Sequence, residues 1–404
     1  MFIKRKYFFE YLWEGLLKIS GGLTSVAILL IVIFLFSEGI GIFNNSAVEE
    51  GYSIIVGKDN DVENLSGEKI KDIFDQKIVS WKTLGTTIEN HDSIMLLRLD
   101  DIASYVSENK IASDFSNLPQ IIEQIMKDNP SVIGFLPSEY INKDSDYRIL
   151  DLGKIKPKDF FFGKQWFPTA QPSPLFGVLP IVLGTLLVSL IAILIALPFG
   201  LAVAIYSAEL ASEKVAKLIR PVIELLAGIP SVVYGFFGLI VIVPLIQKLF
   251  NLDVGETALA GSIILAIMAL PTIITIAQDA IMSTPRSMKE ASLALGANKW
   301  QTIKKVIIPY SISGITAGVV LGIGRAIGET MAVLMVTGNA AVIPTTLLEP
   351  VRTIPATIAA ELGEAPKGGA HYEALFALGC ILFIFTLVIN LIVEYISSKN
   401  KNKA

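Results

Sequence analysis

The sequence predicts an α-helical polytopic membrane protein with six transmembrane helices and a small α/β extracytoplasmic insert. Of its 404 residues, 52% are hydrophobic, which is too apolar for an ordinary soluble domain. Six apolar runs each exceed ~18 residues, the length that crosses a ~30 Å hydrocarbon core as a helix. A long polar stretch follows the first run. The runs cover residues 17–42, 178–208, 221–249, 257–280, 311–336 and 374–396.

The first run, with the residues before it, predicts a cytoplasmic N-terminus and a retained first membrane helix at 1–43. Lys4, Arg5 and Lys6 precede the run, as basic residues precede the apolar region of a signal peptide. However, the run is longer than the ~7–15 apolar residues of a signal peptide and lacks a clear small-residue cleavage site. Trp13 is placed to lie at the membrane interface.

The short connections between the runs predict the orientation, because Lys and Arg favour the cytoplasmic side. Only Lys248 lies in one of the connections assigned to the opposite side, and Arg352 and Lys367 lie in the other. We therefore expect both termini, including the basic tail 399–404, and the 281–309 connection to be cytoplasmic. The basic residues of the cytoplasmic connections are Lys214, Lys217, Arg220, Arg286, Lys289, Lys299, Lys304 and Lys305.

The polar stretch, residues 44–172, has the residue pattern of a folded α/β domain, which the orientation places outside the cytoplasm. It holds 21 Asp and Glu residues against 14 Lys and Arg, so it is acidic overall. The chain then returns to the membrane through an aromatic cluster at 160–167, which is typical of the headgroup region. Apolar periodicity and capping residues predict strands at 52–56, 94–97 and 132–136, and helices at 66–74, 101–108 and 119–128.

Composition argues against several functional classes. The single cysteine, Cys380, excludes a disulfide framework and a multi-cysteine metal site within the chain. His91 and His371 are isolated, and no nucleophile–base spacing is present, so we expect neither an enzyme nor a cofactor or metal site. Only short basic tracts occur, at the chain ends, which argues against a nucleic-acid partner.

The third run carries a helix-breaking sequence in a membrane span. Gly228 and Pro230, followed by Ser231, would free backbone groups that hydrocarbon cannot satisfy. Such breaks are tolerated where protein or a cavity satisfies the freed groups, and they often line transport sites. A packing kink is the alternative, and Pro271 in the fourth run belongs to that class.

The fifth run carries two charges, Arg325 and Glu329, in an otherwise apolar span. Each costs roughly 2.5–3.5 kcal/mol on insertion scales, so such residues usually face a bundle interior or an aqueous path. Their four-residue spacing predicts that they pair along one helix. Gly314, Gly318 and Gly322 form a stripe that predicts close packing against another helix.

The connection before that run resembles the EAA loop of ABC importer permeases. Glu290, Ala291 and Ser292 are followed after three residues by Gly296, and after nine more by a Val-Ile-Ile-Pro stretch that ends at Pro309. Ser292 stands where the family has a second Ala, and Val and Ile replace its Ile and Leu.

The same residues predict a helix–turn–helix shape for this coupling loop, 287–309. The stretch up to Leu295 consists mostly of good helix formers, and Gly296 can adopt the left-handed conformation that ends a helix. Asn298 can cap the next helix. In the family, this loop docks into a cleft on the ATPase. The resemblance therefore assigns ATPase coupling to Glu290, Ala291, Gly296 and Pro309.

Two further stretches resemble one family closely, the PstC-type permease of the phosphate-specific (Pst) ABC importer. They are LAGIPSVVYG at 226–235 and GRAIGETMAV at 324–333. With the coupling loop, the resemblance covers 174–398 well and 1–43 loosely. It implies the type I ABC importer fold for a five-helix permease core at 173–398.

The resemblance also implies function and partners. Such a permease works in the bacterial inner membrane, surrounded by lipid, with a second homologous permease, two copies of a cytoplasmic ATPase and an extracytoplasmic phosphate-binding protein. Arg325 and Glu329 fall on the positions that the family uses in phosphate passage, and Gly228, Pro230 and Ser231 lie at the helix break near that path.

The insert shows a second resemblance, to periplasmic phosphate-binding proteins, in residues 64–85 and 130–135. In those proteins an Arg precedes a Ser-Gly-Thr turn that holds phosphate. Here Arg98 precedes Asp100 and Asp101, which would repel an anion. The insert is therefore interpreted as one lobe that has lost its ligand. It either touches the solute receptor, shapes the external face, or is passive.

Two other functions stay open from the sequence. A permease for molybdate or sulfate would share the EAA-like loop but gives less reason for the stretches at 226–235 and 324–333. A membrane receptor that senses an extracytoplasmic ligand would need a cytoplasmic output domain, and the longest internal cytoplasmic segment is only the 281–309 connection. In the external loop at 337–373, residues 354–361 are a candidate re-entrant or interfacial helix.

Overall fold

The computed structural model describes residues 2–62, 65–86, 92–107, 111–112, 115–142 and 145–401, without the side chains of 2–12 and 396–401. Asn64, His91, the basic side chains near both termini and the last three residues of the tail lie outside this description. The chain divides into two compact units. One, the membrane unit, contains the residues up to Ile40 and from Leu179 onward, and the other, the insert unit, is Gly41–Val178.

Among the described residues, six helices are long and apolar enough to cross a membrane, as the sequence predicts. The apolar segments are Trp13–Asn44, Leu179–Leu210, Ser231–Phe250, Ala258–Met282, Lys299–Gly328 and Ala370–Tyr395. The helices of this unit are α1 (Phe2–Gly41), α6 (Leu179–Ile205), α7 (Glu213–Gly228), α8 (Ser231–Phe237), α9 (Val243–Phe250), α10 (Ala258–Met282), α11 (Arg286–Ala294), α12 (Lys299–Thr302), α13 (Ile308–Gly328), α14 (Met331–Val336), α15 (Ile354–Glu361) and α16 (Ala370–Lys401).

Two of the predicted spans have different bounds in the structure. The third begins at Ser231, not at residue 221, because α7 ends at Gly228 and a new helix follows Pro230. The fifth begins at Lys299 and ends at Gly328, so the predicted 311–336 run contains a long helix and the short α14. Both differences arise where backbone breaks interrupt a continuous apolar sequence.

Helix α10 packs against both α6 and α13, and these two helices also contact each other. The predicted glycine stripe of α13 forms the contact with α10. A β-carbon on Gly314 would lie 2.4 Å from Cβ of Ala280, and one on Gly322 would lie 2.8 Å from Cγ1 of Ile273. These glycines therefore let the two helix backbones approach closely.

The insert unit is built on a four-stranded sheet with the order β2-β3-β1-β4. Strand β1 (Tyr52–Gly57) runs antiparallel to β3 (Val132–Pro137) and β4 (Tyr147–Leu150), and β2 (Met95–Arg98) runs parallel to β3. The remaining elements are α2 (Gly67–Phe74), α3 (Ile102–Tyr105), α4 (Leu118–Asp128), α5 (Pro157–Phe162) and the pair β5 (Trp166–Phe167) with β6 (Leu175–Phe176).

Each face of this sheet is covered by one main helix. The α2 side buries Ile70 and Trp81, and the indole N–H of Trp81 donates to the Ser131 carbonyl oxygen at 3.0 Å. The α4 side buries Ile122 and Ile125 against Ile55. The predicted α/β class is thus correct for this unit, and the Ser66 hydroxyl accepts from the Lys69 N–H as a cap of α2.

Three predictions for the insert need correction. Strand β4 was not predicted, and its pairing with β1 comes from residues far apart in sequence. The 101–108 helix ends at Tyr105 because Val106 is extended; residue 108 lies outside the described residues. Within the aromatic cluster, Phe160 and Trp166 are each only 1% exposed and belong to the core of the unit, so they are not membrane anchors.

We expect Gly314→Ala to destabilise the membrane unit, because the new methyl group would meet Cβ of Ala280 and overpacking typically costs about 1–3 kcal/mol. Gly324→Ala on the same helix is the matched control, because a β-carbon there meets nothing within 4 Å of the chain. Thermal unfolding of the purified chains in detergent measures both. Equal unfolding temperatures for the two variants would contradict the close packing.

Candidate functional site

The membrane unit contains two interrupted helices that pack against each other. One interruption separates α7 from α8, and the other separates α13 from α14. Helices α8 and α14 are in close contact, since a β-carbon on Gly235 would lie 2.7 Å from the Met335 sulfur and 3.0 Å from Cα of Ala332. The helical segments that follow the two breaks are thereby held side by side.

The first break confirms that a non-helical segment follows Gly228. Ile229 and Pro230 are extended, with φ −69°, ψ 127° and φ −61°, ψ 145°, and Ser231 begins α8. Proline cannot donate a backbone hydrogen bond to the preceding turn, so α7 cannot continue through it. The Tyr234 hydroxyl donates to the Leu226 carbonyl oxygen at 2.8 Å and satisfies one of the carbonyls at the end of α7.

The second break falls at Glu329, which the sequence placed inside a continuous helix. Its backbone is extended, with φ −70° and ψ 132°, because α13 has ended at Gly328. The Glu329 carboxylate accepts from the Ala332 N–H at 3.3 Å. A carboxylate at a helix N-terminus satisfies a free N–H and faces the positive end of the helix dipole, so Glu329 caps α14.

The expected ion pair between Arg325 and Glu329 is therefore wrong for this structure. A four-residue spacing brings side chains together only along one helix, and the helix stops between these two residues. Within the described residues, no carboxylate oxygen lies within 4.0 Å of the Arg325 guanidinium. Arg325 is half-buried in the last turn of α13.

Arg325 is close to the first break as well. It lies within electrostatic reach of the Tyr234 hydroxyl, the group that closes the end of α7. A guanidinium with five N–H donors and no carboxylate neighbour can bind an oxyanion in a bidentate manner. The structure thus brings Arg325, Glu329 and the 228–231 break into one region around α8 and α14.

The coupling loop has the predicted helix–turn–helix shape. Helix α11 leads to Gly296, which is left-handed with φ +87°, and α12 begins at Lys299. Asn298 caps α12: its side chain accepts from the Gln301 N–H at 2.8 Å, and the Gln301 side chain accepts from the Asn298 N–H at 2.9 Å. This reciprocal pair is a capping box, so the turn is defined by its own residues.

One boundary of this loop differs from the prediction. The polar loop does not extend to Pro309, because a continuous helical segment runs from Lys299 to Gly328. Pro309 lies in the first turn of α13, directly after a π-helical turn at Ile303–Ile307. Such a turn interrupts the regular hydrogen-bond ladder, which allows a residue without an N–H to follow inside a helix.

The surface of the loop is exposed and partly apolar. Glu290, Ala291 and Gly296 are exposed, as a docking segment requires. Leu295 is 89% exposed and Trp300 is 59% exposed, and Met288 and Leu293 are exposed beside them. A group of large apolar side chains on a polar loop marks a protein-interaction surface.

The structure adds an ion pair that the sequence analysis missed. The Lys289 ammonium of α11 lies 2.6 Å from Oε1 of Glu209, which follows α6, and the two side chains are only 22% and 14% exposed. The two residues are 80 positions apart in the sequence. Only the change from apolar to polar residues at the end of the second run could have pointed to Glu209 as a partner. The pair ties the coupling loop to a different transmembrane helix.

Two hydroxyl pairs support the same region. The Ser292 and Thr302 hydroxyls lie 3.0 Å apart and join α11 to α12 across the Gly296 turn. The Thr284 and Ser311 hydroxyls, both buried, lie 3.1 Å apart and join the end of α10 to α13. Ser292, the departure from the EAA pattern, thus has a structural role in this chain.

A second buried charge cluster lies in the 337–373 segment. Arg352 Nη1 lies 2.5 Å from Oε1 of Glu361, and His371 Nε2 lies 2.9 Å from Oε2 of the same carboxylate. Residues 354–361 form the helix α15, so the helix is confirmed. His371 is not isolated, contrary to expectation, because Glu361 connects the N-terminus of α16 to α15. Within the described residues there is no group of three or more potential metal-ligating side chains.

In the insert unit, the position that resembles a phosphate site is occupied by internal contacts. The Arg98 guanidinium lies over the Phe74 ring, 5.3 Å from its centroid, and donates to the Phe74 carbonyl oxygen at 3.4 Å. The Asp101 carboxylate accepts from the Arg98 N–H at 3.2 Å. These contacts engage Arg98 and Asp101 within the insert unit, and the loss of a ligand from this lobe stays a prediction.

The described residues contain six helices that could span a membrane, two helix breaks whose following helices are in contact, and a helix–turn–helix loop, which together define the class of a polytopic membrane permease. The family model described as "Binding-protein-dependent transport system inner membrane component" matches residues 196–402. The chain belongs to this family. Membership decides against the membrane-receptor alternative.

Individual relatives agree with this assignment. The "Probable ABC transporter permease protein YqgH" of Bacillus subtilis is 41% identical over 247 residues, which cover 61% of this chain and 80% of the relative. The "Phosphate transport system permease protein PstC" of Mesorhizobium japonicum is 40% identical over 255 residues, covering 58% and 77%. The resemblance to the PstC-type permease is therefore confirmed.

Among solved structures, one chain of an inward-facing MetNI methionine ABC transporter aligns with a TM-score of 0.44 and 17% identity, over 54% of this chain and 93% of that one.

The partly buried Lys289–Glu209 pair predicts a measurable coupling energy. Breaking it leaves one charge half-buried, so Lys289→Gln and Glu209→Gln should each destabilise the protein by about 1–3 kcal/mol, with a double variant that costs much less than the sum. The exposed Lys217–Glu213 pair, at 2.7 Å but 75% and 83% exposed, is the control and should show coupling near zero. Unfolding of the purified chain measures both cycles, and additive effects at Lys289 and Glu209 would contradict the predicted coupling.

Proposed function

We propose that the chain is the membrane-spanning permease subunit of an ATP-driven inorganic phosphate importer. The observation that carries the proposal is the half-buried Arg325, which no carboxylate among the described residues neutralises and which lies beside two helix breaks. The relatives named as phosphate transport permeases support the choice of substrate.

Arg325 is suited to the passage of phosphate for two physical reasons. Phosphate is mono- or dianionic near neutral pH, and moving such a charge through a low-dielectric region without a counter-charge is prohibitive. A guanidinium is planar and always charged, so it compensates the anion in a bidentate manner without a proton transfer. Because no carboxylate of the described ranges pairs with this guanidinium, the binding of phosphate does not first have to break an ion pair.

Glu329 contributes to this path through the helix it caps. Its carboxylate holds the start of α14, and α14 in turn packs against α8. Pro230 and Ser231 lie at the other break, the one between α7 and α8. We assign to Gly228, Pro230 and Ser231 the role of keeping an opening in the bundle where a continuous helix would close it.

The coupling loop transmits the energy of ATP hydrolysis. In this proposal two copies of a cytoplasmic ATPase dock on the loop, a second homologous permease completes the path, and an extracytoplasmic phosphate-binding protein delivers the solute. Both termini and the coupling loop are then cytoplasmic. In the coupling loop, the ATPase contacts Glu290, Ala291 and the turn at Gly296. Pro309 marks the start of the helix that carries Arg325.

One continuous helical segment links the coupling loop to the path. When the ATPase dimer closes, it displaces α11, and the rigid turn at Gly296 passes that displacement to the segment from Lys299 to Gly328. Arg325 and the second break lie at the far end of this same segment. The Lys289–Glu209 pair carries the displacement to α6 as well.

Replacement of Arg325 tests the substrate role. Loss of a charged hydrogen bond costs about 1.5–3 kcal/mol, so Arg325→Ala should reduce phosphate uptake at least tenfold, and Arg325→Lys should retain part of it. Arg220→Ala, which removes an exposed arginine that pairs with Glu224 at 3.1 Å, is the control and should transport normally. Uptake of labelled phosphate into proteoliposomes with the complete transporter is measured, with sulfate and molybdate as competitors.

Normal phosphate uptake and normal ATPase coupling in Arg325→Ala would contradict the role of this residue. Stronger competition by molybdate or sulfate than by unlabelled phosphate would contradict the assignment of the substrate.

Replacement of Leu295 tests the coupling surface. This side chain is 89% exposed, so Leu295→Asp should leave the fold intact but strongly reduce co-purification of the ATPase, because a charge would be buried in an apolar contact. Val342→Asp places the same change on an exposed residue of the 337–373 segment and should have no effect. If both variants retain the ATPase equally, the loop is not the docking surface.

A further inference from the structure

The insert unit contains a cavity of about 300 Å³ that none of the functional residues above uses. One wall is the start of α2, at Ser66, Gly67 and Glu68. The opposite wall is the segment that surrounds α5. Four lysines line the cavity, and they are Lys154, Lys156, Lys158 and Lys164.

The concentration of positive charge in this cavity is unusual for the insert. Residues 44–172 contain 21 acidic and only 14 basic residues, yet four of the basic ones fall within 154–164, with Asp159 as the one acidic residue there. Glu68 is the other carboxylate that lines the cavity. Like charges so close together repel one another unless a counter-charge is present.

In the part of the chain that the structure describes, protein carboxylates do not supply that counter-charge to three of the four lysines. Among the described residues, none lies within 4.0 Å of the ammonium groups of Lys156, Lys158 or Lys164. The Lys154 ammonium has a neutral neighbour, the side-chain oxygen of Asn44 at 3.4 Å. The cavity therefore offers several cationic donors that the protein itself leaves available.

The start of α2 adds donors of a different kind. The first N–H groups of a helix have no acceptor within the helix; at the start of α2 the Ser66 hydroxyl accepts from the Lys69 N–H and the Ser66 carbonyl oxygen accepts from the Ile70 N–H, which leaves those of Gly67 and Glu68 for other acceptors. The position of this turn is fixed, because a β-carbon on Gly67 would lie 2.5 Å from the Ser173 hydroxyl, which itself donates to the Ala47 carbonyl oxygen at 2.6 Å. Backbone N–H groups and lysines together are the donors that oxyanions prefer in proteins.

Aromatic side chains border the basic wall. Phe160 and Trp166 are buried and hold the segment in place, whereas Phe162 lines the cavity and is 69% exposed. Phe161 and Phe167 are also exposed, at 45% and 47%. In sequence this segment lies directly before the second membrane span. Cationic and aromatic groups in this combination fit a phosphate ester attached to apolar material, as well as a free phosphate ion.

We propose that this cavity is a binding site for a phosphate group, either that of an anionic phospholipid headgroup or inorganic phosphate. Lys156, Lys158 and Lys164 supply the charge, and the first turn of α2 supplies the neutral donors. With a lipid, the site would fix the insert to the membrane surface. With inorganic phosphate, it would hold the solute on the external side. Neither role uses Arg325 or the coupling loop, so the inference goes beyond the import function.

Removal of two lysines tests the site in the full-length chain. Lys156→Gln/Lys164→Gln is compared with Lys82→Gln/Lys127→Gln, which removes the same charge from exposed lysines of the insert outside the cavity. Both pairs are also made in the Arg325→Ala background, which removes the proposed site in the membrane path. The probes are labelled inorganic phosphate in equilibrium dialysis and short-chain phosphatidylglycerol in native mass spectrometry, with phosphatidylcholine for comparison.

We expect the cavity variant to lose at least tenfold in affinity for one probe, and the control variant to bind as the parent does. A selective loss of phosphatidylglycerol identifies the lipid headgroup, and a selective loss of inorganic phosphate that persists in the Arg325→Ala background identifies the free ion. If both double variants bind both probes equally, the proposal is overturned. The phosphate uptake of Arg325→Ala is a separate measurement, so failure of this site and failure of the import function are distinguishable.

Discussion

Hydrocarbon cannot accept or donate hydrogen bonds, and the membrane unit is organised around that constraint. Each helix break frees backbone groups, and each break is closed by a side chain nearby. The Tyr234 hydroxyl serves the end of α7, and the Glu329 carboxylate serves the start of α14. Because α8 and α14 pack through Gly235, the two closures support one another. The cation at Arg325 then lies beside an irregular region that the protein has already stabilised.

This arrangement separates two tasks that the sequence had assigned to one ion pair. Glu329 stabilises the backbone, and in the import function that we propose Arg325 keeps its positive charge available to an anion. An ion pair between them would have lowered the cost of burying the arginine, but in that proposal it would also compete with the substrate. The half-buried position and the terminal turn of α13 reduce that cost by other means, since the negative end of the helix dipole lies at the same turn.

The coupling loop is joined to the transmembrane helices by side chains rather than by its backbone alone. Lys289 contacts Glu209 after α6, Ser292 contacts Thr302 across the turn, and Thr284 contacts Ser311 between α10 and α13. A loop held at several points moves as a unit, so a displacement at its exposed apolar surface reaches more than one helix. The insert follows a different principle, because its sheet carries a separate core on each face, and its charged cavity borders the α2-side core at Leu65.

The sequence by itself determined the features that depend on neighbouring residues. Apolar length defined the six spans, Pro230 defined the first break, and Gly296 with Asn298 defined the turn of the coupling loop, since each acts through local backbone geometry. The tertiary structure alone decided the rest. The Lys289–Glu209 pair, the pairing of β4 with β1 and the burial of Trp166 join residues that are distant along the chain. The sequence shows a helical pattern that continues past Gly328, whereas α13 ends there and the packing of α14 against the distant α8 supports the break.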